Sequence, residues 1–72
     1  MKIEKEHTTF NYENRCVVAI EFSRINGSLF ISSVADVDVV TREKIPHKLL
    51  EEALTAALEW KLNKDRENRT IN

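Results

Sequence analysis

The chain has one cysteine, one proline and one glycine, and no long apolar run. Each scarcity closes off a class of protein. Cys16 has no partner for an internal disulfide. With only His7 and His47 beside it, the spacings that hold zinc do not occur. No metal or other cofactor is expected. No stretch approaches the roughly 20 apolar residues that span a bilayer, and the opening MKIEKEHTT has no apolar signal-peptide core. The expectation is a soluble, cytoplasmic protein with no membrane role. A lone thiol among alternating apolar residues suits a reducing compartment. Gly-rich phosphate loops, nucleophile elbows and helical zinc motifs are missing too, so the chain is not expected to be an enzyme.

Neither sign of charge dominates. Charged residues make up 32% of the 72 residues and the net charge is −1. That balance argues against a protein that works mainly by coating nucleic acid or an acidic surface. The length implies one domain, and a domain this small buries only about 60% of its unfolded surface. Such folds often lean on a disulfide, a metal or a second subunit. With the first two set aside, a homodimer is the expected support.

The single glycine and proline mark the architecture. Asn26-Gly27 is the preferred central pair of a type I′ turn, which needs positive φ at both positions. Runs of alternating apolar residues flank it: RCVVAIEFSRI before and SLFISSVADVDVV after. A two-residue turn sets Ile25 opposite Ser28 and fixes the register beyond. One face then carries Cys16, Val18, Ile20 and Phe22 opposite Val37, Ala35, Ser33 and Ile31, with Leu29 and Val39 beyond. The other carries Arg15, Val17, Ala19, Glu21 and Ser23 opposite Asp38, Asp36, Val34, Ser32 and Phe30. Upstream, residues from about Ile3 to Tyr12 suit a first strand. A two-residue loop at Glu13-Asn14 would set Phe10 opposite Val17 on the second face; a three-residue loop would bring Phe10 and Tyr12 to the core face.

Pro46 favours a helix start, and the following PHKLLEEALTAALEWKLNK is rich in helix formers. The expected fold is α+β: a three-stranded antiparallel meander with one long C-terminal helix on one face, order β-β-β-α. Residues 1–64 form the domain and 65–72 a polar, fraying tail. The helix's apolar side, from Leu49 to Trp60, spans about 200°, wider than the roughly 100° stripe of an ordinary surface helix. The surplus calls for a second packing partner.

Asp36 and Asp38 share a face at i, i+2, about 6.6–6.8 Å apart along the strand, a spacing from which two carboxylates can converge on Mg²⁺ or Ca²⁺. The hairpin register offers the simpler account of a solvated face, with Asp38 paired to Arg15 across the strands. His47 and Glu51 read as an ordinary i, i+4 surface pair. Cys16 reads as a packed core thiol, and His7 has no assigned role. Two surfaces remain. Val17, Ala19, Phe30, Val34 and Ile25 form an apolar strip on the second sheet face, and Leu58, Trp60 and Leu62 extend the helix's apolar side. Exposed apolar area of this kind marks an interaction surface. The leading expectation is a small non-enzymatic regulatory module, a homodimer binding an unknown protein partner, with Phe30 and Trp60 as anchors. The alternative is a single-stranded nucleic-acid binder that stacks bases on Phe10, Tyr12 and Phe30 beside Arg15. Glu21, Asp36 and Asp38 on that same face would repel phosphates.

Overall fold

A computed structural model describes residues 2–70 of the chain, with side chains as far as Arg66. Strands β1 (Ile3–Tyr12), β2 (Cys16–Ile25) and β3 (Ser28–Val34) precede helix α1 (His47–Thr70). The strands form one antiparallel sheet in the order β1-β2-β3. This is the β-β-β-α arrangement that the alternation and Pro46 anticipate.

The Asn-Gly reversal forms as its chemistry requires. Asn26 has φ 52° and Gly27 φ 88°, and Ile25 stands opposite Ser28. The first reversal uses less suitable residues in the same left-handed region: Glu13 at φ 50° and Asn14 at φ 60°. It is held by the Arg15 N–H donating to the Tyr12 carbonyl at 2.8 Å, and by the Asn14 N–H donating to Asn11 Oδ1 at 2.9 Å. Arg15 is the third loop residue, so Tyr12 faces Cys16 and Phe10 faces Val18. Of the two loops compatible with the sequence, the one that points both aromatics at the core is formed. A side chain with a Cβ is strained at positive φ, and asparagine is the residue that tolerates it best after glycine. Glu13→Asn is therefore expected to stabilise the chain by about 0.5–1 kcal/mol, read as a higher urea midpoint at unchanged slope.

Strand β3 departs from the simple register. From Ser28 to Ile31 the pairs are those the turn dictates, with Leu29 opposite Arg24, Phe30 opposite Ser23 and Ile31 opposite Phe22. A bulge then intervenes, so that Glu21 faces Ser33 and Ile20 faces Val34. One added residue reverses the facing of everything beyond it. Val34, expected on the open face, turns to the helix-bearing side instead. The strand ends there, and the chain continues as a loop containing a single bridge, Val37 to Lys44. Ser33, Ala35, Val37 and Val39, expected in the core, are exposed.

Helix α1 covers the face carrying Cys16, Val18, Ile20 and Phe22. With Ile45, Ala53 and Ala57 these side chains form the buried core, ringed by half-buried Phe10, Tyr12, Leu29, Ile31, Leu49, Leu50, Leu54 and Leu58. Ala53 and Ala57, fully buried, keep the helix close to the sheet because neither has more than a methyl to accommodate. The Pro46 carbonyl accepts the Leu50 N–H at 2.9 Å, which places the proline at the head of the helix. The helix does not end at Lys64, where the composition suggests a fraying tail. It runs through Thr70, and Asp65 pairs with Arg24 of β2. Ile71 and Asn72 lie outside the described residues. No helix among the described residues is long and apolar enough to cross a membrane.

Candidate interaction surface

The far side of the sheet is open, and its residues follow from the register. β1 contributes Ile3, Lys5, His7, Thr9 and Asn11; β2 contributes Val17, Ala19, Glu21, Ser23 and Ile25; β3 contributes Ser28, Phe30 and, across the bulge, Ser32 and Ser33. Val17 and Ala19 are half-buried, and Phe30 is 39% exposed near the Asn-Gly end. They do not join into one strip, because a hydrogen-bonded polar row crosses the face between them. His7 Nε2 lies 2.9 Å from Glu21 Oε2. The Ser32 hydroxyl donates to Glu21 Oε1 at 2.7 Å, and the Ser23 hydroxyl donates to Ser32 at 2.7 Å. The Ser32 bond holds the Glu21 carboxyl below the usual range, against the effect of burial, with Lys5 and His7 adding to it. A carboxylate so stabilised is a weak base, and the imidazole contacts it from the far side, away from the serine. A shallow groove of about 610 Å³ opens beside this row where β3 leaves the sheet. Neither the row nor His7's place in it is legible without the β1 register.

Asp38 is not the partner of Arg15. It is 6% exposed and turned inward. Its carboxylate accepts the N–H groups of Val17 at 2.8 Å, Val40 at 2.8 Å and Thr41 at 2.9 Å. The Thr41 and Val17 bonds lead in holding the carboxyl below its ordinary range, against burial. Asp38 thus ties the loop to the start of β2 while its backbone closes the loop through Glu43 and Arg42. Asp36 stays exposed, and among the described residues no three His, Cys, Asp or Glu side chains come together as a metal site. Arg15 instead reaches over the Tyr12 ring, 5.7 Å from its centroid, to within 3.6 Å of Glu52.

The residues assigned to base stacking are therefore divided. Phe10 and Tyr12 face the helix: Phe10 lies against Trp60 with centroids 5.6 Å apart, and the Tyr12 hydroxyl donates to Glu52 at 3.4 Å. Only Phe30 remains on the open face. Cys16 is buried, and burial first, then the charge of Asp38, pushes its thiol up. His47 and Glu51 pair at 3.2 Å on the exposed side of the helix.

The helix divides into two flanks. One meets β1, through Glu52, Trp60 and Lys61. Trp60 is 37% exposed, with the Lys64 ammonium 5.1 Å from its ring centroid. Lys61 points inward, 8% exposed, and bonds Glu6 at 2.5 Å, with Asp65 at 3.8 Å. The opposite flank carries Leu54, Leu58 and Leu62 above β3. Leu58 is half-buried against the core and Leu62 is 44% exposed beside Leu29 and Gly27. Exposed large apolar side chains concentrate on this edge: Phe30 and Val34 on β3, then Val37, Val39 and Val40 in the loop, with Leu62 nearby. The β1 edge is different, with Glu4, Lys5, Glu6 and His7 in succession. No family model, no curated protein and no solved structure matches the chain.

Proposed function

We propose that this chain is a small non-enzymatic interaction module of the cytoplasm that works as a homodimer and presents apolar surface to a protein partner. The observation that carries the reading is that six of the eight exposed large apolar side chains among the described residues lie on one side, Phe30 and Val34 on β3, Val37, Val39 and Val40 in the loop and Leu62 on the adjoining helix flank, with Ile3 and Trp60 on the β1 side. Exposed apolar side chains gathered along one edge favour an interaction surface there. The small core points the same way. It rests on Cys16, Val18, Ile20, Phe22, Ile45 and two alanines, and a domain of this size gains from a second subunit. A regulatory role fits a chain whose polar groups are spent on holding its loop and helix. The Ser32 hydroxyl is bonded to Glu21 and Ser23, and the Glu21 carboxyl is held below its usual range.

Phe30 is the anchor in this reading, as an exposed aromatic at the head of the apolar edge. Light scattering after size exclusion is expected to give a mass near twice the 8.4 kDa of the chain. Phe30→Asp is expected to return a folded monomer with an unchanged circular dichroism spectrum, raising the dimer Kd by about 30-fold or more, the scale of an interface hot spot. A wild-type monomer at all concentrations, or a Phe30→Asp variant that still dimerises and keeps its partner, would refute the reading.

A further inference from the structure

We infer that the homodimer forms edge to edge, with β3 pairing antiparallel to the β3 of a second copy and Phe30 facing its own counterpart across the two-fold axis. The inference rests on the interaction-module reading and specifies its surface. The backbone supplies the first argument. Ile25 and Ser28 flank a two-residue turn, so they form a hydrogen-bonded pair, and such pairs alternate along an antiparallel ladder. Ser28 and Phe30 therefore direct their N–H and C=O toward β2, whereas Leu29 and Ile31 direct theirs outward. The Ala35 N–H donating to the Ala19 carbonyl and the Val39 N–H donating to the Val17 carbonyl show the same odd-numbered side of β2 facing this edge. Leu29 and Ile31 thus present a regular outward pair of donors and acceptors that nothing among the described residues covers.

Symmetry supplies the second argument. A two-fold axis between identical antiparallel strands must set one residue opposite itself. On the charged half of β1 that residue would be Glu4, Lys5, Glu6 or His7, and like charges directly opposed are destabilising. β3, SLFISSV, holds no charge at all. The register follows from the bulge. An axis at Phe30 pairs Leu29 with Ile31 of the second copy, and Ile31 with Leu29. This satisfies every outward group of the regular stretch and leaves the bulge beyond Ile31 outside the pairing. Phe30 then sits at a non-hydrogen-bonded position, where side chains approach most closely, and two aromatic rings cover each other.

Packing supplies the third. The axis is perpendicular to the sheet, so both helices fall on one side of a continuous six-stranded sheet. The two β2 strands would lie about 14 Å apart, three strand spacings. Helices about 10–12 Å across with their side chains then come within reach through Leu58 and Leu62, over Leu29 and Ile31. The surplus apolar side of the helix is accounted for by the same contact.

The experiment is cysteine cross-linking in the full chain with the native thiol removed. Cys16→Ala/Phe30→Cys is expected to oxidise in air largely to a disulfide-linked dimer, because Cα atoms at such a position are about 4.5 Å apart, within disulfide range. Cys16→Ala/Ile3→Cys, exposed at the far edge, is expected to remain mostly unlinked. Ile31→Pro, which removes an outward N–H and no bond to β2, is expected to halve the mass seen by light scattering. If wild type is dimeric but Phe30→Cys links no better than Ile3→Cys, the edge assignment is overturned while the module reading stands, whether or not Ile31→Pro folds. If wild type is monomeric and neither variant links, both are overturned.

Discussion

Replacing Val18 by aspartate is expected to leave the chain without a cooperative unfolding transition. Val18, the third residue of β2, is fully buried between Phe10 on the neighbouring strand and the helix above. The substitution removes apolar contacts and installs a carboxylate with no cation or donor at hand. The cations that do penetrate the helix–sheet seam, Lys61 and Arg24, are engaged with Glu6 and Asp65 toward the other end of the helix. An unpaired buried charge costs about 3–5 kcal/mol, and the core of so small a domain supplies about the same. Far-ultraviolet circular dichroism and a urea titration would check it. A sigmoidal transition with wild-type slope would show that position 18 is not sealed.

The second large effect falls on Asp38. Asp38→Asn is expected to lower the melting temperature by at least several degrees and to loosen the loop from Ala35 to Lys44. The carboxylate offers Oδ2 to the Val17 N–H and Oδ1 to the N–H groups of Val40 and Thr41. An amide can present its oxygen to only one of these sides, and either orientation sets its NH₂ against a backbone donor. The pH dependence gives a separate check. The folded-state pKa of Asp38 lies below its unfolded value, which is about 3.9. Its contribution is therefore fully present above that value and is lost as the pH falls through the folded pKa. Glu6 and Glu21 are also held low, Glu6 chiefly by its bond to Lys61 and Glu21 chiefly by its bond to Ser32. All three contribute to an acid limb beginning at about pH 4. Asp38→Asn should remove its share of that limb. Urea midpoints measured down the acid range would show a shallower slope for the variant, and an unchanged slope would refute the role given to this carboxylate.

How far the chain could be read in advance varied with the strength of local chemistry. Asn26-Gly27 and Pro46 each leave the backbone few options, so the hairpin, the helix start and the core face of β2 were legible. The bulge was not. It falls at Ser32-Ser33, where neither residue prefers the core, so no apolar alternation holds the register. That single slip carries Val34 to the other side of the sheet. The β1 register was ambiguous because Glu13-Asn14 is a poor advertisement for positive φ. Asp38 reads as a strand residue because its alternation with Val37 and Val39 mimics a strand, whereas in the fold it caps the loop. A local signal was available: an aspartate whose carboxylate can cap the N–H groups two and three residues on, here Val40 and Thr41, favours a turn over a strand. The buried Ile45 and the His7–Glu21–Ser32 row depend on contacts far apart in the chain, which no local pattern encodes.

The alternation of acid and base along Glu4, Lys5, Glu6 and His7 has a consequence for growth. In the proposed dimer, joined through the neutral β3 strands, both outer rims of the combined sheet would be these charge-bearing β1 strands. A third molecule arriving at a rim would have to strip water from charged side chains to continue the ladder. Under the proposed edge-to-edge pairing, assembly would therefore stop at a closed pair instead of propagating into a fibre.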